Sequence, residues 1–142
     1  MADDNGGVIA TIGMDAFRTQ LDTGVHVLYA DEPVDAGGQD AGPTPHDFVK
    51  MGLASCTAIT LRMYANRKAW PVEQIRVRVY MEKTEEKTTF HRAIELQGNL
   101  DEEQRKRMLQ IANACPVHKT LTHPIEVSTL LVKQVNDPSQ TG

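Results

Sequence analysis

Short β-prone runs gathered near the N-terminus, one long helical segment in the middle and a clean two-residue alternation after it predict an α+β fold with mostly antiparallel sheet. Strands in groups with segregated helices mark that class, whereas a doubly wound fold would interleave strand and helix along the whole chain. The order expected is three strands, a long helix, two strands, a helix and a last strand. No internal repeat is visible.

Val8 to Ile12, Phe17 to Leu21 and Val25 to Tyr29 are short apolar-rich runs separated by Gly13-Met14-Asp15 and Asp22-Thr23-Gly24. They read as an antiparallel meander. Asp31 to Pro45 holds three Gly, three Pro and four acids, a composition that breaks helix and strand alike. A loop of about fifteen residues is expected there, and loops of that length in compact domains tend to carry function or mobility. Its glycines do not form a phosphate cradle, because the spacing is wrong, no Lys is present and four carboxylates would repel phosphate.

Thr44-Pro45-His46-Asp47 starts a helix: Thr44 is a capping residue, Pro45 suits the first helical position, and Asp47 completes a capping box. The helix is expected to run to about Lys68. Apolar residues occupy most of its circumference, from Phe48 and Met51 to Met63 and Tyr64, so it is expected to be buried. Its middle, Gly52 to Ala58, is built of small residues that permit close approach of a neighbour. Gln74 to Lys83 alternates with Ile75, Val77, Val79 and Met81 on one face and Arg76, Arg78, Tyr80 and Glu82 on the other. Thr88 to Gln97, with Phe90, Ile94 and Leu96 inward, completes a hairpin across the polar turn Thr84 to Lys87.

Asp101 to Gln104 repeats the capping-box logic before a helix carrying Met108, Leu109, Ile111, Ala112 and Cys115. Pro116 ends it, since a residue before proline avoids the helical conformation, and opens a short second helix capped by Cys115. Ile125 to Leu131 is expected as the final strand. Residues 1–135 are read as a single domain, and 136–142 as a disordered C-terminal tail.

At 142 residues with 40% apolar and 24% charged, the chain suits one globular domain and excludes collagen-like, low-complexity and disordered classes. No run approaches a membrane span, and the acidic MADDNGG start is unlike a signal peptide. A soluble cytoplasmic protein with no membrane association is expected. A net charge of -4 supplies no positive field for a phosphate backbone, so nucleic acid is not expected as a partner.

Two cysteines, Cys56 and Cys115, are too few for a secreted disulfide scaffold and lack zinc-ribbon spacing. In a reducing compartment they are inert core residues or they carry chemistry. Cys115 precedes Pro116-Val117-His118-Lys119, where first-turn amides and Lys119 favour thiolate. Cys56 lies in an apolar helix, where burial alone would raise its pKa. A small hydrophobe buried in a helix remains an open reading of Cys56. A metal set of Cys115, His118 and His123 lacks a second ligand pair, and no metal or cofactor is expected. His46 and Asp47 stand ten and nine positions before Cys56, roughly 14 Å along a continuous axis. If they take part, they come from a second chain or the helix is broken.

Three segments together resemble the OsmC/Ohr family, among its OsmC-like redox proteins: Ala30-Asp31-Glu32-Pro33, then Gly42-Pro43-Thr44-Pro45 leading to Ala54-Ser55-Cys56-Thr57-Ala58-Ile59-Thr60-Leu61-Arg62-Met63-Tyr64-Ala65, and Cys115-Pro116-Val117-His118-Lys119-Thr120-Leu121. The likeness spans about residues 8–132. It implies an OsmC-like fold, with antiparallel sheets around a long central helix in an intertwined homodimer, and two sites at the dimer interface.

It further implies a peroxidase acting on organic hydroperoxides, with hydrogen peroxide a second substrate. Cys56 matches the cysteine that attacks peroxide and becomes a sulfenic acid, Cys115 the one that closes a disulfide with it, and a dithiol or protein thiol reopens the bond. Local electrostatics alone favours Cys115 as the lower-pKa sulfur, while the resemblance assigns attack to Cys56. Family peroxidases orient the nucleophile with a Glu at the helix start and an Arg from the N-terminal strands. The Glu position falls here on His46, with Asp47 next to it, and Arg18 is placed for the Arg. The competing reading is a noncatalytic protein that binds a small hydrophobic ligand in the interface cleft.

Overall fold

A computed structural model describes residues 6–133 of the chain. The element order is β1 (Ile9–Ile12), β2 (Thr19–Asp22), β3 (Val27–Ala30), α1 (Pro45–Lys68), β4 (Val72–Lys83), β5 (Thr88–Gly98), α2 (Glu102–Ala112) and α3 (Pro116–Thr122). Two compact units result, one of residues up to Asp47 and from Val127 onward, the other Phe48–Glu126. The expected tail at 136–142 lies outside the described residues. The class is α+β with antiparallel sheets and a long helix, as the element pattern predicts.

In the first unit β1, β2 and β3 form an antiparallel meander in that order, with Ile9 opposite Asp22 and Thr19 opposite Ala30. The loop that follows is organised by Asp31, whose side chain is almost wholly buried. Its Oδ1 accepts from the Glu32 amide at 2.7 Å, and its Oδ2 accepts from the Gln39 and Ala41 amides at 3.2 and 3.1 Å. These bonds, that from Ala41 foremost, outweigh burial and, with the Arg18 charge, hold the carboxyl below its ordinary pKa. The glycines in this loop serve closeness of backbone: a Cβ on Gly38 would stand 2.1 Å from the Glu32 carbonyl oxygen. At its end Thr44 and Asp47 bond reciprocally, amide to side chain in both directions, at 3.1 and 3.2 Å. The predicted capping box is therefore formed.

The second unit packs one face of α1 against the β4–β5 hairpin and α2. Its core is Leu61, Tyr64, Ala65, Val72, Leu100, Met108 and Ala112, with Trp70, Ile75, Ile94 and Leu96 at the margin. Strands β4 and β5 pair antiparallel over their lengths, with Val77 opposite Ile94 and Val79 opposite Arg92. Arg62 of α1 donates to the Val72 carbonyl at 2.9 Å, and Arg105 of α2 donates to those of Leu96 and Gly98. These bonds tie both helices to the hairpin. The second capping box, Asp101 with Gln104, is also complete.

Two expectations are corrected. Helix α1 is not buried all round: Leu53, Thr57, Leu61, Tyr64 and Ala65 are covered, whereas Ile59 and Met63 on the opposite side are 58% and 67% exposed. Apolar composition identifies surface suited to burial, but one chain supplies neighbours for only one stripe of it. Ile125 to Leu131 is not a strand either. Its Val127 and Leu131 are 82% and 99% exposed, and no described strand pairs with it. Alternation qualifies a segment for a sheet, yet a strand also needs an edge to bond to.

Candidate active site

The second unit brings Cys56 and Cys115 together from different elements. Cys56 projects half-buried from the middle of α1, while Cys115 is fully buried at the junction of α2 and α3. Both are free thiols, and each sulfur stands close enough to shift the ionisation of the other. Cys115 reaches that place in the turn between the end of α2 at Ala112 and the start of α3 at Pro116. As expected, Cys115 caps α3: its φ and ψ of -59° and 128° are non-helical, and its sulfur accepts from the His118 amide at 3.4 Å.

The surroundings divide the pair electrostatically. Burial pushes the Cys56 thiol up, and the neighbouring Cys115 sulfur pushes it further, against weaker opposition from the Val117 amide and the Thr60 hydroxyl. At Cys115 burial is also the largest single influence, but the bonds it accepts outweigh it. They come from Cys56, the His118 amide, the Thr57 hydroxyl and the Val117 amide, and the net direction is down. Cys115 is thus the more acidic sulfur, which agrees with the local sequence argument, and Cys56 is the more accessible one.

One residue absent from the sequence reading organises this junction. Arg92 of β5 donates through Nη1 to Thr57 Oγ1 at 3.0 Å and to the Ala112 carbonyl at 2.9 Å. Through Nη2 it donates to Asn113 Oδ1 at 2.8 Å and to His118 Nδ1 at 3.1 Å. It therefore joins α1, the end of α2 and the start of α3. A guanidinium only donates, so His118 accepts at Nδ1 and carries its proton on Nε2. Burial, with the Arg92 charge beside it, holds His118 below the usual imidazole pKa. Thr57 is fully buried; its hydroxyl lies 2.7 Å from the Leu53 carbonyl and 3.8 Å from Cys115 Sγ.

The signal for Arg92 was in the alternation: it stands in phase with Phe90, Ile94 and Leu96, on the inward face, where an unpaired cation is out of place. Thr57 carried no signal beyond adjacency to Cys56. Beside Arg92 lies a cavity of about 230 Å³ that also borders Leu53, Phe90, His118 and Leu121.

The other expected site residues lie in the first unit. Asp47 takes part in the Thr44 cap, and Arg18 stacks over the Tyr29 ring at 4.3 Å. Helix α1 is unbroken from Pro45 to Lys68, so the axial separation of about 14 Å between Asp47 and its own Cys56 stands. The route through a broken helix is thereby removed. His123 Nδ1 faces the Lys119 carbonyl at 2.6 Å, and no group of three His, Cys, Asp or Glu suited to a metal ion occurs among the described residues. Nor is any helix among them long and apolar enough to cross a membrane.

Comparison with known proteins places this architecture. The family model for the OsmC-like protein matches residues 37–130. An OsmC-like protein from Mycoplasma pneumoniae superposes with a TM-score of 0.68 at 18% identity, covering 84% of this chain and 89% of that one. The organic hydroperoxide resistance protein OhrB of Bacillus subtilis gives 0.60 at 23% identity, over 82% and 89%. An organic hydroperoxide resistance protein OsmC from Legionella pneumophila gives 0.58 at 21%, over 82% and 89%. At these identities the likeness shows the fold. No curated protein matches the chain.

Proposed function

The chain belongs to the OsmC-like family, and we propose that it is a cysteine-dependent peroxidase that reduces organic hydroperoxides in the cytoplasm. The observation that carries this reading is the pair of free thiols that shift each other's ionisation, with the accessible sulfur and the more acidic sulfur on different residues. A peroxide arriving from solvent meets Cys56 first. As Cys56 attacks, its proton passes to Cys115, the more acidic sulfur beside it. The Cys56 thiolate bonds to the distal peroxide oxygen, the O–O bond breaks, and the alkoxide leaves as alcohol after taking up a proton. Cys56 is then a sulfenic acid. Cys115 attacks that sulfur, an S–S bond replaces the S–O bond, and water leaves. A dithiol or protein thiol reduces the disulfide and is itself oxidised.

The cavity beside Arg92 suits the body of an organic peroxide, since Leu53, Phe90 and Leu121 offer apolar contact. We assign a homodimer, supported by the uncovered Ile59 and Met63 face of α1 and by the separation along α1, which lets Asp47 orient a Cys56 only across two copies; Arg18 is assigned as its companion. One equivalent of an organic hydroperoxide is expected to remove both thiols and two mass units per chain, reversed by a dithiol. Survival of both thiols in excess peroxide would overturn the reading and favour the noncatalytic binding protein, which retained ligand in native mass spectrometry would support.

A further inference from the structure

Arg92 is a half-buried cation whose four hydrogen bonds all go to neutral acceptors. Among the described residues it pairs with no carboxylate, unlike Arg76, which stands 3.6 Å from Glu95. Taking a charge out of water without a counter-charge is costly, so an arginine in this position calls for an anion nearby. The titratable groups joined to it are Cys115, through the Thr57 hydroxyl, and His118, directly, and only the thiol becomes anionic.

Thr57 has one proton and two places to put it. Its oxygen accepts from Arg92 Nη1, while its hydrogen faces the Leu53 carbonyl with Cys115 Sγ alongside. With Arg92 bound to the oxygen, the O–H is polarised, and rotation of the hydroxyl aims it at the sulfur once that sulfur is charged. We propose that Arg92 is a positioning residue which, through Thr57, supplies the counter-charge for a Cys115 thiolate and keeps that sulfur ionised and aimed at Cys56. The same guanidinium keeps His118 Nδ1 unprotonated, so the imidazole contributes no competing positive charge. The kinetic consequence, faster closure of the Cys56–Cys115 disulfide by a pre-ionised Cys115, rests on the peroxidase reading; the ionisation itself does not.

The test is therefore run first without peroxide. In a Cys56→Ser background Cys115 is the sole thiol, and its ultraviolet thiolate absorbance is titrated in the folded protein. Thr57→Val, nearly equal in shape but without a hydroxyl, and Arg92→Met are each expected to raise the midpoint by about one unit or more. Thr57→Ser and Arg92→Lys are expected to restore most of it, which a purely structural role would not produce. Midpoints unchanged in both Thr57→Val and Arg92→Met overturn the proposal. If Arg92→Met does not fold, Thr57→Val decides alone.

With Cys56 restored, disulfide closure after a single peroxide addition should slow about tenfold in Thr57→Val near neutral pH. Shifted midpoints with no peroxide consumption by the parent protein would remove the peroxidase reading and leave the Arg92 assignment standing. Peroxide consumption with unshifted midpoints would do the reverse.

Discussion

Cys56 and Cys115 are the same residue type and each shifts the ionisation of the other, yet their surroundings are opposite. Cys56 sits inside a helix, where its own backbone amide is spent on the helical ladder, and burial works against its charge. Cys115 sits just before a helix, where the amides of His118 and Val117 are free to point at sulfur. The more exposed sulfur is the less acidic one. Thiol chemistry needs access and ionisation, and here the fold places them on two different sulfurs that influence each other.

The strongest way to break this comparison is to remove one sulfur at a time. Cys56→Ser is expected to lower thiol-dependent hydroperoxide turnover to no more than about one hundredth of the parent. Cys115→Ser should consume one peroxide per chain and then stop, with a Cys56 sulfenic acid that dimedone traps and mass spectrometry detects. Full turnover in Cys56→Ser, or a trapped sulfenic acid on Cys115 in the parent, would exchange the two roles.

A second substitution sharpens the contrast by acting on Cys56 alone. Asp47→Ala removes a capping partner of Thr44 and should cost about 1 kcal/mol of stability, read as a lower midpoint in urea. If Asp47 orients Cys56 across a dimer, kcat/KM for the hydroperoxide falls about tenfold in addition, while the Cys115 titration is unmoved. A stability loss without a change in kcat/KM leaves Asp47 as a helix cap.

The smallest effect acts on the Cys115 side and follows from His118. Its folded pKa lies below the ordinary 6.5, so the unfolded chain binds the proton more readily. Stability is therefore fully present above about pH 6.5 and declines as the pH falls from there through the lower folded value. Between pH 7 and 5.5 the Tm of the parent should fall by on the order of 2 °C more than that of His118→Asn, whose side-chain oxygen still accepts from Arg92. Equal slopes would mean that protonation of His118 leaves the Arg92 junction intact.

What could be read from the sequence alone was what depends on neighbours along the chain. Thr44 with Asp47 and Asp101 with Gln104 announce helix starts because each box is closed within four residues, and Pro116 keeps Cys115 out of a helix and opens α3, although α2 stops earlier than expected, at Ala112 rather than beside Cys115. The alternation of β4 and β5 is likewise a property of consecutive side chains. The cap position of Cys115, and with it the share of its acidity that comes from the His118 and Val117 amides, belongs with these. Only the tertiary structure decided that Cys115 meets Cys56 and that Arg92, in phase with the apolar face of β5, joins three helices at that point. It also left Ile125 to Leu131 unpaired and one stripe of α1 uncovered. Sheet pairing, burial and the counter-charge of a thiolate depend on which distant groups arrive alongside, and local spacing carries no measure of that.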